Sequence, residues 1–169
     1  MGMNQNVKDI LNVLWNDEEL LRLLYYSPED ILTSTPDPLD PSLDNILDMD
    51  IEKQWQIKND TILLTPKQDD LVDNRKCRLF VYLGDRDPSR GNYLTASQEM
   101  IFDFLCHVDF ENGDIRTTRI GDRLNQLFAL ERVTGIGKMD FVRGTQITRT
   151  PSQYVGYRFI YDFVNFKKM

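Results

Sequence analysis

A strict alternation of apolar and polar residues is the strongest pattern in the chain. Every second position from 100 to 110 is apolar, and the positions between them include Asp103, His107 and Asp109. Successive side chains of a strand point to opposite faces of a sheet, so this period of two predicts a long strand with one buried and one largely polar face. Positions 155–163 repeat the alternation with aromatic residues and predict a second long strand that partners the first.

Weaker patterns predict the remaining elements. Helices are favoured where apolar residues recur at helical spacing, at residues 7–14, 20–25, 43–51 and 120–128. Strands are favoured by short extended runs at residues 62–64, 77–83 and 145–150. Asn16 stands where the second helix needs an N-cap. Segment 84–97 is rich in turn-forming residues, which indicates an irregular loop or a long hairpin tip.

This order of elements predicts an α+β fold. We expect a mostly antiparallel sheet of four to five strands packed by two main helices, with an extended acidic arm. Residues 1–60 are expected to form the N-terminal helical segment and the arm, and residues 61–169 the α+β core. With 169 residues, of which 41% are apolar, the chain is the size of one structural domain with a single core.

The cysteines and the N-terminus favour a reducing compartment. Cys77 and Cys106 are the only cysteines, and both fall on apolar positions of predicted strands, as buried free thiols do. The first six residues lack the cationic and apolar regions of a signal peptide. No segment approaches the roughly 20 apolar residues of a membrane-spanning helix. We therefore expect a cytoplasmic protein with no membrane contact.

Charge is distributed unevenly along the chain. The formal net charge of −7 argues against a general nucleic-acid binder. Residues 1–74 carry 16 acidic and 5 basic side chains, whereas residues 75–169 carry 11 and 15. Residues 27–52 hold eight acids and no base. One interpretation is a head-to-tail contact in which the acidic arm of one copy meets the basic body of the next. The other is that the acids solvate a poorly structured segment.

No convergent catalytic or metal-binding pattern accompanies the strands. His107 is the only histidine, and no nucleophile or pocket can be paired with it, so a hydrogen-bonded surface or interface histidine is expected. Asp103, Asp109 and Glu111 offer oxygen ligands without the spacing of a cation-binding loop. The segment around Lys138 lacks the residue spacing of a phosphate-binding loop. We expect no catalytic residue, metal or cofactor.

The basic residues are better explained by protein contacts than by nucleic acid. They are interspersed with acids and have no aromatic platform beside them, which argues against single-strand binding. Ion pairs between subunits are the expected role of the arginines, which are Arg86, Arg90, Arg116, Arg119, Arg123 and Arg143.

Four segments resemble the tail-completion proteins of long-tailed bacteriophages, the tail terminators of the head-to-tail neck. They are Val81-Tyr82-Leu83-Gly84-Asp85-Arg86, Gly91-Asn92-Tyr93-Leu94, Gly135-Ile136-Gly137-Lys138-Met139 and Tyr154-Val155-Gly156-Tyr157-Arg158. The resemblance covers residues 60–169 by its pattern of elements. Residues 27–52 depart from it, because that acidic segment is longer than the family predicts.

The resemblance implies a non-enzymatic virion protein. It implies a ring, usually a hexamer, that caps the tail tube protein and joins it to the head connector or a head-closure protein. DNA would pass through the ring without specific binding. The protein would reside in the tail or neck of the virion, and in the host cytoplasm during assembly.

Three groups of residues are the candidate sites of such a ring. The first is a loop that contacts the next ring of the neck, with Asp85, Arg86, Arg90, Asn92 and Tyr93. The second is a subunit-interface or lumen face, with Asp103, His107, Asp109, Arg116, Arg119, Arg123 and Arg158. The third is the acidic arm, with Asp37, Asp40, Asp44, Asp48 and Asp50.

Other functions remain open from the sequence. Within the same class, a head-closure or adaptor protein of the neck has the same general properties. From other classes, the outward carboxylates suit a small acidic hydrolase, and residues 27–52 suit a module that binds a basic partner.

Overall fold

The computed structural model describes residues 2–30, 32–33 and 36–168. The helices are α1 (Met3–Trp15), α2 (Glu18–Tyr25), α3 (Ile51–Thr61), α4 (Val108–Asp114) and α5 (Arg116–Phe128). The strands are β1 (Ile62–Leu63), β2 (Cys77–Pro88), β3 (Thr95–His107), β4 (Ile136–Ile147) and β5 (Tyr154–Phe166). Short 3-10 turns lie at Ile46–Asp48 and Asp69–Leu71.

The strands form one open sheet in the order β1-β2-β3-β5-β4. β1 runs parallel to β2, and the other neighbours are antiparallel. The predicted α+β class with a mostly antiparallel sheet is therefore confirmed. The two alternating stretches are direct partners, with Phe102 of β3 opposite Phe159 of β5.

One face of the sheet carries the main core. Phe102, Phe104 and Tyr161 point from β3 and β5 toward the helices, where they meet buried residues such as Leu14 of α1 and Leu124 of α5. Because side chains of alternate residues share a face, the period of two in the sequence becomes this aromatic layer. The cluster draws side chains from residues 1–60 and from residues 61–169 alike.

The opposite face carries a smaller core at one end. Leu71, Phe80, Leu105 and Tyr154 pack there beneath the segment that connects β1 and β2. Arg78 of β2 is buried beside them and donates hydrogen bonds to both carboxylate oxygens of Asp70 in that segment. Apolar residues on both faces of β2 therefore reflect a strand that is covered on both sides.

The two cysteines lie opposite each other in this sheet. Cys77 of β2 pairs with Cys106 of β3, and both are buried free thiols, as predicted. Burial, followed by a hydrogen bond with Cys77, raises the pKa of the Cys106 thiol well above its usual value. The raised pKa disfavours the nucleophilic thiolate form of Cys106.

The prediction that β3 continues to position 110 is wrong. The strand ends at His107, and α4 begins at Val108. The His107 ring accepts a hydrogen bond from the backbone N–H of Asp109 and so caps the new helix. Phe110 of α4 is buried in the main core. Its apolar character therefore continued the alternating pattern in the sequence, although the strand had already ended.

The helices also differ from the sequence prediction. Within the described residues, five helices accompany the sheet, and α1, α2 and α5 all contribute residues to the main core. The N-cap of α2 is Asp17, whose carboxylate accepts from the N–H of Leu20, whereas Asn16 donates to the Asn12 carbonyl. The predicted helix at residues 43–51 is only the 3-10 turn. Helix α3 was not predicted, because just three of its residues are buried and its apolar stripe is weak.

Candidate functional site

The segment predicted to contact a partner is the tip of the β2–β3 hairpin. The two strands extend to Pro88 and from Thr95, so only residues 89–94 lie outside them. The tip is held by hydrogen bonds from the N–H of Thr95 to the Asn92 carbonyl and from the N–H of Leu94 to the Asn92 side chain. This geometry confirms a long hairpin tip rather than an irregular loop.

Two apolar side chains are exposed at this tip. Tyr93 is 82% exposed and Leu94 is 54% exposed, on a turn whose backbone is hydrogen-bonded. Arg86 does not reach outward, since it donates to the Phe166 carbonyl and to Gln98 and so ties the hairpin to the end of β5. Arg90 is exposed. A rigid hairpin that presents an aromatic side chain to solvent is a typical protein-contact element.

Asp103 lies at the centre of a cross-strand network rather than on an open surface. Its carboxylate is buried and accepts hydrogen bonds from Arg158 of β5 and from the hydroxyl of Tyr82 of β2. Burial and the hydrogen bond to Asp103 raise the pKa of Tyr82 to about 12. The same carboxylate raises the pKa of Arg158. Both oxygens of Asp103 are thus engaged inside the chain.

The outward acidic face predicted around Asp103 is not a single face. Asp109 and Glu111 belong to α4, which turns away from the strand at His107. Asp109 pairs with Arg75, and Glu111 accepts from the backbone and hydroxyl of Thr117. The notion that these carboxylates share one strand face is wrong, because the strand ends before them.

The arginines of α5 form ion pairs within their own chain. Arg116 is fully buried and donates to the carbonyls of Leu23 and Tyr26, at the end of α2, and to the carboxylate of Asp114. These contacts use all three nitrogens of its guanidinium group. The side chain that the sequence assigned to a subunit contact is an internal clamp between α2 and α5.

The other two arginines of α5 also bind groups of their own chain. Arg119 donates to Asp37 through two nitrogens, and Arg123 binds the carboxylate of Asp17. The hydrogen bond from Arg119 is the main reason that the pKa of Asp37 lies below its usual value. Each of these two arginines thus has an acid of its own chain as a partner.

The acidic arm is folded onto the body of its own chain. Arg22 of α2 is buried and donates to the carbonyls of Pro38, Asp40 and Leu43, which fixes the path of the segment. Ile46 is buried in the main core. Part of the predicted linker, residues 34 and 35, lies outside the described residues, as does residue 31.

The carboxylates of the arm either accept hydrogen bonds from nearby backbone N–H groups or face solvent. Asp40 accepts from the N–H of Ser42, and Asp50 is the N-cap of α3. Asp44 and Asp48 are exposed. The arm is thus an ordered strap that lies across α2 and reaches Arg119 of α5 through Asp37.

An apolar cleft opens on the helix side of the sheet, between α5 and β5. It has a volume of about 270 Å³ and is lined in part by Phe104, Tyr157 and Phe159. Gly121 of α5 keeps it open, because a Cβ at that position would meet the Phe159 ring at 3.0 Å. The lining holds no pair of groups arranged for acid–base chemistry; Asp122 is its one ionisable carboxylate.

Two classes of site are missing from the part of the chain that the structure describes. No group of three or more His, Cys, Asp or Glu side chains could hold a metal ion there. Within the same residues, no helix is long and apolar enough to cross a membrane.

The fold and its surfaces define an α+β protein with an ion-paired helical side and an exposed hairpin. A family model described as YomW matches residues 17–163, so the chain belongs to the YomW family. It is 32% identical over 166 residues to the "SPbeta prophage-derived uncharacterized protein YomW" of Bacillus subtilis (strain 168). The match covers 96% of this chain and 96% of that protein.

Proposed function

We propose that this chain is a structural protein of a bacteriophage particle, and specifically a tail terminator that forms a homo-oligomeric ring at the head-to-tail junction. Its relationship to a prophage-derived protein supports the phage origin. The observation that carries the structural role is the rigid β2–β3 hairpin with Tyr93 exposed at its tip. A fixed tip with one aromatic anchor suits repeated docking on another ring.

A non-enzymatic role is supported by the state of the polar groups. Asp103 is engaged by Tyr82 and Arg158, and His107 caps α4 through its ring nitrogen. A hydrolase needs a carboxylate or histidine that is free to take a proton from water or substrate. Each of these groups has its structural partner instead.

The partners of the proposed ring are further copies of the chain, the tail tube protein, and the head connector or a head-closure protein. We propose a hexamer in the tail or neck of the virion, assembled in the host cytoplasm. The net charge of −7 disfavours nonspecific binding of the DNA phosphates, so DNA can pass through the ring without adhering to it.

Ring formation is the first test. Native mass spectrometry of the full chain should give a closed oligomer, and negative-stain images should show rings that bind the ends of purified tail tubes. A chain that stays monomeric across a wide concentration range and does not bind tubes would overturn the proposal.

The phenotype of a null mutant separates this role from that of a head-closure or adaptor protein. Loss of a terminator leaves tails of uncontrolled length. Loss of a head-closure protein leaves normal tails beside heads that leak DNA. The second result would assign the chain to the other ring of the neck.

The hairpin tip can be tested separately from folding. Tyr93→Ala should leave the oligomer and its melting temperature unchanged and reduce its binding to tubes or connectors at least about tenfold, as loss of an aromatic anchor does. Val72→Ala is the matched control, since Val72 is an exposed apolar residue away from the tip. Equal binding by both variants would remove the tip from the proposed contact.

A further inference from the structure

The far edge of β4 is open over residues 141–147. β4 pairs with β5 on one side only. Its first part is closed on the other side, because Met139 exchanges backbone hydrogen bonds with Leu130 and Glu131. Beyond Met139, no described backbone group pairs with the outer side of the strand. Apart from the bulge between Phe141 and Arg143, the outer backbone groups of this stretch have no partner among the described residues.

The opposite side of the sheet has a second open edge. β1 is short and pairs only with Leu79 and Phe80 of β2. Residues 81–88 of β2 continue past it with β3 on one side and, within the described chain, no strand on the other. A bulge interrupts them between Leu83 and Arg86, where Gln98 donates to the carbonyls of Gly84 and Asp85. The two open stretches are similar in length and lie at opposite ends of the strand order.

The charges of the two edges are opposite and unpaired. Asp85 and Asp87 lie on the open stretch of β2, while Lys138 and Arg143 lie on β4 and Arg149 just beyond it. In the described part of the chain, none of the five forms an ion pair. Asp140 is the one acid on β4. By contrast, the arginines of α2 and α5 form ion pairs within the chain.

We propose that residues 141–147 of one copy pair with residues 81–88 of the next copy, which continues the sheet from subunit to subunit. The inference deepens the proposed ring and rests on it, because it names the surface through which copies of the chain meet. Main-chain hydrogen bonds supply the contact, and the acidic and basic edges set its direction. The contact is head-to-tail, which is the type that generates rings.

The strand directions allow this continuation. β2 and β5 run one way and β3 and β4 the other, since each neighbouring pair from β2 to β4 is antiparallel. A second copy's β2 placed beside β4 therefore extends the antiparallel order without a reversal. Arg143 lies opposite Ile160, and Asp87 lies opposite Ser97, which puts both on the sheet face away from the main core.

The position of the two stretches predicts a stagger. Gly144, Phe159, Phe102 and Val81 lie in one row across the sheet. Gly144 is the middle of the β4 stretch, whereas Val81 begins the β2 stretch. For the two stretches to lie side by side, the next copy must therefore be shifted along the strand direction relative to the first. Strands tilted against the axis of a closed sheet have such a stagger. If the β4 edges of two subunits paired with each other instead, Arg143 of one subunit would approach Arg143 of the other. The repulsion between these like charges opposes that arrangement.

Crosslinking tests which edges meet. Asp87→Cys, Arg143→Cys and the double variant are treated with a flexible bis-maleimide, while native Cys77 and Cys106 are buried and do not compete. The double variant should give a ladder of covalent multimers, and each single variant should stay monomeric on denaturing gels. Dimers of Arg143→Cys alone would show β4–β4 pairing and overturn the inference, as would dimers of Asp87→Cys alone.

Charge reversal tests the same contact without a crosslinker. Asp87→Arg and Arg143→Asp should each weaken assembly about tenfold or more in native mass spectrometry, and their combination should restore it. Lys8→Asp, at an exposed base on α1 rather than on either edge strand, is the control. A ring that is insensitive to both reversals overturns the edge contact and leaves the proposed function standing. A ring that is sensitive to the reversals but does not bind tail tubes supports the edge contact and overturns the proposed function. A persistent monomer overturns both.

Discussion

The helical side of the molecule and the free edges of its sheet use charge in different ways. On the helical side, Arg22, Arg116 and Arg119 each bind carbonyl or carboxylate groups of their own chain. At the edges, Asp87 and Arg143 are exposed and form no ion pair within the described residues. The same residue types therefore serve cohesion in one region and remain available in the other. Net charge along the sequence does not distinguish these two uses.

The largest expected effect comes from the buried clamp. Arg116→Ala leaves the Asp114 carboxylate and two carbonyls without their donor, so the free energy of unfolding should fall by about 3–5 kcal/mol. Urea denaturation measures it. Arg143→Ala at the open edge is the matched comparison and should change stability by less than about 0.5 kcal/mol in the monomer. Equal losses from both variants would erase the difference between the two regions.

The acidic strap should depend on a single arginine. Arg22→Met keeps the apolar stem of the side chain and removes its hydrogen bonds to the carbonyls of Pro38, Asp40 and Leu43. Leaving those carbonyls without a donor should cost about 1–3 kcal/mol. Residues 36–50 should also become sensitive to limited proteolysis, as read by mass spectrometry of the fragments. Unchanged cleavage would mean that Ile46 and its neighbours suffice to hold the strap.

The Asp70–Arg78 pair should make stability depend on pH. Hydrogen bonds from Arg78 are the main reason that the pKa of Asp70 falls to about 2. A carboxyl whose pKa is lower in the folded than in the unfolded chain stabilises the fold above its unfolded pKa, about 3.9, and loses that contribution as pH falls toward 2. Asp70→Asn should therefore lower stability at pH 7, and its difference from the parent chain should shrink between about pH 4 and pH 2. A difference that is constant over this range would contradict the assignment.

The smallest expected effect concerns backbone strain between α4 and α5. Ile115 has φ 55° and ψ 51°, a left-handed conformation that is unfavourable for a β-branched residue, and its side chain is 57% exposed. Ile115→Gly should raise the free energy of unfolding by about 0.5–1 kcal/mol, and Ile115→Ala should give little gain, because alanine keeps the Cβ. Thermal melts of the two variants separate the backbone effect from the loss of the side chain.

The sequence predicted those features that a regular period encodes. The alternation in β3 and β5 specified two long strands and their buried faces, and the turn residues between Pro88 and Thr95 marked the hairpin tip. Near His107 the same pattern failed, since apolar residues two apart also suit a short capped helix that packs on the core. Helix α3 gave no signal, because its stability comes from its cap at Asp50 and a few buried side chains.

The candidate site was less accessible to sequence reasoning. Arg119 and Asp37 are separated by 82 positions, and Arg123 and Asp17 by 106, so nothing local shows that they bind each other. Their charges suggested contacts between subunits, whereas folding brings them together within one. The open edges were also hidden, because only the strand order shows that β4 is terminal and that β1 covers so little of β2.

The reactivity of the buried thiols of Cys77 and Cys106 measures how often the sheet opens. They lie on the covered face of the sheet, at the end where β2 begins and β3 finishes, and neither is accessible to a labelling reagent until that end opens. The rate at which native protein is alkylated therefore reports how often the sheet opens, with no introduced probe. Adding subunits to the sheet edges should slow this reaction, so ring assembly can be followed as a loss of cysteine reactivity.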